Sequence, residues 1–149
     1  MPATSVLPVP SQVDASPVAA LGSTLTDSKG NRYIYLKGAA GTLVGDFVVY
    51  DPAFATTRSA AASKGPGGFS MGAALAGQYG WYQVEGTNPG VTATGAIAAN
   101  AAVGTNAATG TIGATAAGAK IENVFSTAAA AAGKVAVIIV APPVAAGLG

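Results

Sequence analysis

The chain has 149 residues, with seven Lys or Arg, six Asp or Glu, and neither His nor Cys. Without imidazole or thiol, the usual neutral-pH acid–base group, the strongest nucleophile, disulfide staples and the nitrogen and sulfur ligands of zinc or haem sites are all missing. A formal net charge of +1 lacks the basic stripe of a nucleic-acid binder.

Residues 1–26 are predicted to form an extended arm. Pro2, Pro8, Pro10 and Pro17 break any helix and remove ladder donors. Between them lie small apolar pegs, Val6, Leu7, Val9, Val13, Val18 and Leu21, and Asp14 is the one charge before Asp27. A disordered linker would be more polar, so the pegs are candidate contacts with a partner surface. No positive charge precedes Lys29 and no long apolar run stands in this segment, so it does not read as a secretory signal.

A β domain is expected over residues 27–141, opening on the turn Asp27-Ser28-Lys29-Gly30-Asn31. Arg32-Tyr33-Ile34-Tyr35-Leu36-Lys37 alternates, with Ile34 and Leu36 on one face and Tyr33 and Tyr35 on the other, which predicts a strand. Lys29, Arg32 and Lys37 are flanked by Asp27 and Asp46 and read as solvated strand ends rather than a phosphate site. A turn through Gly38-Ala39-Ala40-Gly41 leads to a second strand, Phe47-Val48-Val49-Tyr50, closed by Asp51-Pro52.

Residues 53–76 read as a long loop, because Lys64-Gly65-Pro66-Gly67-Gly68 stops any regular element. Its glycines lack the Lys-Ser/Thr pair of a phosphate-binding loop; Phe69-Ser70-Met71 follows instead. The next segment, Gly77-Gln78-Tyr79-Gly80-Trp81-Tyr82-Gln83-Val84-Glu85-Gly86, is the densest in aromatics. Trp81 is expected to anchor the core. Tyr33, Tyr35, Tyr79 and Tyr82 are the candidate aromatic surface for a partner.

Residues 86–119 contain no charged residue, whereas an ordinary surface is about a quarter charged or more. Within them, residues 93–102 and 108–117 form an imperfect repeat, predicted to be two short strands or hairpin arms carrying Ile97 and Ile112 into a core. Lys120-Ile121-Glu122-Asn123-Val124-Phe125 predicts a further strand, and residues 128–132 have helix propensity. The last strand, residues 135–140, is apolar on both faces and is expected to be buried on both or central. It is far shorter than the roughly 20 residues of a membrane span, so the positive mean hydropathy does not signal a membrane protein. Residues 142–149 read as a short extended tail.

The six carboxylates, Asp14, Asp27, Asp46, Asp51, Glu85 and Glu122, are scattered and form no acid–base pair in the sequence. Ser63-Lys64 is formally a nucleophile and base, but adjacent residues in a glycine-rich loop are poor material for a preorganised site. No catalytic motif, metal site or cofactor site is expected.

The order of these elements resembles the small head-decoration, or capsid cement, proteins of tailed bacteriophages. The likeness runs over residues 30–140 and is sharpest at Gly80-Trp81-Tyr82-Gln83-Val84-Glu85-Gly86; the Ala-rich second half departs from it. The resemblance implies a β-rich protein, often trimeric and often with an extended terminal arm. It also implies binding to the outside of the major-capsid-protein lattice after expansion, hence a place on the virion exterior after synthesis in the host cytoplasm. No catalytic residues come with it. The expectation is therefore a mainly β protein, a small barrel or sandwich with an N-terminal arm and C-terminal tail. Its partners would be the major capsid protein and itself, as a homo-oligomer with a trimer favoured, not nucleic acid or membrane. The alternatives are another virion component (a tail or fibre-base protein), a surface-layer module or, less well supported, a small-ligand-binding β-barrel.

Overall fold

A computed structural model describes residues 10–73, 76–115, 119–131 and 133–147. The strands in chain order are β1 (Val13–Asp14), β2 (Thr24–Thr26), β3 (Arg32–Lys37), β4 (Phe47–Tyr50), β5 (Thr56–Arg58) and β6 (Lys64–Ser70). They continue as β7 (Tyr79–Ala93), β8 (Ala102–Thr105), β9 (Ile112–Ala114), β10 (Lys120–Ser126) and β11 (Gly133–Ala146). All join in one sheet with almost no helix, so the fold is mainly β and barrel-like.

The pairings close two rings that share β7. In the first, β3, β7, β6, β4 and β5 follow one another, and the parallel bridge Lys37–Ala55 shuts the circle. Ile34, Leu36, Val48, Tyr82 and Val84 fill it. In the second, β7, β9, β8, β10 and β11 close through the β7–β11 ladder. Val91, Ile97, Val103, Ile112, Ile121 and Val137 lie at its centre. Ile97 and Ile112 thus both enter the core as the repeat predicts; residues 116–117 of its second copy lie outside the described residues.

β7 passes from one ring to the other at Gly86. Up to Glu85 it pairs with β3; from Gly86 onward it pairs with β11. Gly86 has φ 104°, and a Cβ there would collide with Asn31 Oδ1. That oxygen accepts from Thr87 N at 3.1 Å, so the asparagine fills the inside of the bend and only glycine leaves room for it.

Several expectations are corrected. Residues 53–76 are not one long loop, because Thr56–Arg58 and Lys64–Ser70 are strands; residues 74 and 75 lie outside the described residues. The glycines that read as a stop let strands approach closely: a Cβ on Gly67 would lie 2.5 Å from Phe47 Cζ and from Val48 O. Residues 128–130 form no helix; Ala130 bridges Ile97. Ala132 lies outside the described residues.

At the other end, β11 continues through residues 142–146: Val144 and Ala145 pair with both β10 and β6, and Ala146 pairs with β6. Pro142 and Pro143 are tolerated because the β10 register jumps between Glu122–Val144 and Val124–Ile139. Asn123 sits at this bulge with φ 70° and donates through Nδ2 to Pro142 O at 3.0 Å.

The N-terminal segment from Val13 to Thr26 lies on the sheet, as β1 on β7 and β2 on β3. The reason is the aromatic face of β3. Tyr33, Tyr35 and Trp81 form a cluster that Ala19, Leu21 and Leu25 cover. Tyr35 Oη donates to Asp14 Oδ2 at 2.7 Å and accepts from Val18 N at 3.2 Å. Val6, Leu7 and Val9 lie outside the described residues.

Candidate partner-binding face

An antiparallel sheet with one wet face normally alternates apolar and polar residues. In β11, Val135, Val137 and Ile139 point into the second ring, as expected. Of the two expectations, buried on both faces or central, the first does not hold: Ile138 is 39% exposed and Val140 58%. β11 is nonetheless central by hydrogen bonding, paired with β7, β10 and β6. Among the described residues, none covers Ile138 or Val140 on the outer side of β11.

Register builds a transverse row on that side. Phe125 of β10 faces Ile138 of β11, Ile138 faces Thr87 of β7, and Phe125 faces Ala102 of β8. Cross-strand neighbours on one face are about 5 Å apart, so Phe125 and Ile138 form one apolar surface. Farther along β11, Val140 and Val144 are exposed as well. The charges beside this surface include Glu122, which stands across from Val144 and pairs with Lys120 at 3.2 Å, and Lys64, across from Ala146. An uncharged apolar patch with a charged margin is the pattern of a protein-binding surface.

The candidate aromatic surface is corrected. Tyr33, Tyr35 and Tyr82 are buried, and Tyr79 is half-buried beside Tyr35. β3 is covered on both faces, so its tyrosines supply packing rather than an exposed binding face. Of the arm pegs, Val13 and Leu21 are half-buried against the fold, whereas Val18 is 67% exposed. Sequence reasoning missed Phe125, Ile138, Val140 and Val144 as surface residues. The signal that finds them is the cross-strand register, which the apolar run at 135–140 does not reveal.

Each carboxylate has a local partner. Asp14 meets Tyr35, Asp27 and Asp51 accept from turn amides, Asp46 pairs with Arg58, Glu85 with Arg32, and Glu122 with Lys120. Ser63 Oγ accepts from Ala60 N at 2.8 Å. Among the described residues no three acidic, His or Cys side chains gather, and no helix is long and apolar enough to cross a membrane. No protein-family model, curated protein or solved structure matches the chain.

The buried phenols give the molecule an alkaline limit. Burial, then the hydrogen bond to Asp27, pushes Tyr33 up to about 12; burial and the bond to Asp14 do the same for Tyr35. In the unfolded chain both titrate near about 10. The folded chain therefore keeps protons that the unfolded chain releases between those values. The stability this contributes is complete below about pH 10 and is lost as pH rises toward 12. With no His, Tm should be nearly flat from about pH 6 to 8 and fall from about pH 10 upward. A thermal series against pH, with Tyr35→Phe as comparison, checks this; an undiminished Tm at about pH 11.5 would contradict it.

Proposed function

We propose that the chain is a structural protein that binds the outer surface of a bacteriophage capsid lattice and reinforces it. The observation that carries the reading is the exposed Phe125–Ile138 row, with Val140 and Val144 also exposed on β11, among the described residues. The Gly80–Gly86 resemblance supplies the identity of the partner, the major capsid protein. The charge-poor surface beside the row suits an apolar contact, because little polar desolvation opposes it. A lattice offers many identical sites, so contacts that are individually modest suffice to hold a shell together. In this reading the chain performs no catalysis and uses no cofactor.

Fully covering Phe125, already partly buried, contributes on the order of 1–1.5 kcal/mol. Phe125→Ser is therefore expected to weaken binding to expanded capsids about tenfold and leave the far-ultraviolet spectrum unchanged. Co-sedimentation with purified capsids measures it, with Lys29→Ser in the distant β2–β3 turn as control. A wild-type chain that stays in the supernatant defeats the reading. Equal binding by Phe125→Ser moves the contact to another face.

A further inference from the structure

Residues 10–20 run over the cluster of Tyr33, Tyr35 and Trp81, and the two ends of this segment are held differently. Its C-terminal end is pinned at Gly22. Gly22 N donates to Tyr35 O at 2.8 Å, and Tyr35 N donates to Ser23 O at 2.9 Å. The Phe54 ring presses on the same point, where a Cβ would lie 2.6 Å from Phe54 Cζ. β2 then pairs with β3 at three positions. The N-terminal end has only β1, with Val13 opposite Gly80 and Asp14 opposite Tyr79. Between the two ends Ala15, Ser16, Pro17, Val18 and Ala20 are exposed.

The weak end nonetheless has a made seat. Gly72 is not in the left-handed region, so its backbone is open to any residue. What its missing side chain provides is room: a Cβ there would lie 2.7 Å from Ser11 O and from Val13 Cγ2. Tyr35 Oη donates to Asp14 Oδ2 and accepts from Val18 N, while Gln12 Nε2 donates to Asp14 Oδ1 at 2.8 Å. Yet Asp14 is 9% exposed and pairs with no Lys or Arg among the described residues. Neutral donors compensate a buried carboxylate only in part. Lifting the segment returns Asp14 to water, which offsets the loss of the phenol bond.

We propose that residues 10–20 are a hinged strap that swings off the sheet about Gly22 while both rings stay folded, opening and shutting an aromatic face made of Tyr35, Tyr79 and Trp81. Opening breaks the two β1–β7 residue pairs and the contacts of Tyr35 Oη. It leaves β3 joined to β7 by six pairs and to β2 by three, so the sheet beneath keeps its form. Segments with sparse pairing and exposed side chains are the ones that open without global unfolding. The strap does not involve Phe125 and stands or falls independently of capsid binding.

Native-state hydrogen exchange in low urea tests this. Amides of residues 11–20 should exchange at least about tenfold faster than those of residues 81–85 in β7, and at a rate nearly independent of urea, because the opening exposes little surface. Trp81 is the only tryptophan, so acrylamide quenching of its fluorescence reports the open state. Tyr35→Phe keeps the ring and removes the oxygen bonded to Asp14 and Val18. Gly72→Val evicts Ser11 and Val13 by collision. Each should raise the quenching and speed exchange of the strap by about tenfold or more, with residues 81–85 changed less. If Gly72→Val fails to fold, Tyr35→Phe and the exchange pattern of the unmodified chain decide. Residues 11–20 that exchange only with residues 81–85, at one rate and one urea dependence, overturn the inference. Unchanged Trp81 quenching in folded Tyr35→Phe and Gly72→Val proteins overturns it equally.

Discussion

Replacing Trp81 with Ala is expected to destabilise the protein by about 3–5 kcal/mol. The indole is 4% exposed, and its ring centroid lies 4.9 Å from that of Tyr35 at a tilt of 53°. The cluster around it is small: Tyr33 and Tyr35 beneath, with Leu21, Leu25 and Met71 at its edges. Collapse into the hole is restricted, because Tyr35 is tied to Asp14 and to the Val18 amide, and β3 is locked to β7 by six residue pairs. The cavity term therefore adds to the lost burial. For a chain of this size the Tm should fall by roughly 10 °C or more. Circular dichroism follows the transition without the missing fluorophore. Trp81→Phe, which keeps an aromatic ring against Tyr35, should recover a large part of the loss. A Tm within about 2 °C of the unmodified protein would show that the cluster is peripheral to stability.

What could be read in advance follows from the reach of each signal. Alternation over Arg32–Lys37 and the Phe47–Tyr50 run, each bounded by turn residues, marked β3 and β4 directly, because period and punctuation are local. Trp81 was legible as a buried residue for the same reason. β6 was not legible, since Gly65, Pro66, Gly67 and Gly68 have low strand propensity; Gly67 is there because Phe47 and Val48 approach too closely for a Cβ. The tyrosines of β3 looked like a surface because nothing local says that residues 13–26 fold back over them. Neither could the outer face of β11 be told from its inner face. In Val-Ala-Val-Ile-Ile-Val both sets of alternate residues are apolar, and only the Phe125–Ile138 register shows which set is left in water. The binding face was hidden for the reason that makes it a candidate: its composition is that of a core.

Removal of the Arg58 guanidinium should cost as much as removal of the indole, by a different route. Asp46 is 1% exposed and Arg58 Nε donates to its Oδ2 at 2.8 Å, while Leu43 N donates to the same oxygen at 3.0 Å. Asp46 Oδ1 has no hydrogen-bond partner among the described residues, so the compensation of a buried charge falls on one amide and one cation. Arg58→Met keeps most of the side-chain length and leaves that charge unpaired, which typically costs about 3–5 kcal/mol. The Arg58 bond to Thr109 O, 3.3 Å, is lost as well. Removing both charges should cost less than removing one, because no ion is then stranded. Asp46→Asn combined with Arg58→Met should accordingly be more stable than Arg58→Met alone, with the Asn carbonyl still able to accept from Leu43 N. Urea unfolding of the two single variants and the double variant gives the coupling directly. Strict additivity of the two single losses would mean that the ion pair contributes nothing and that Asp46 is held by the loop backbone alone.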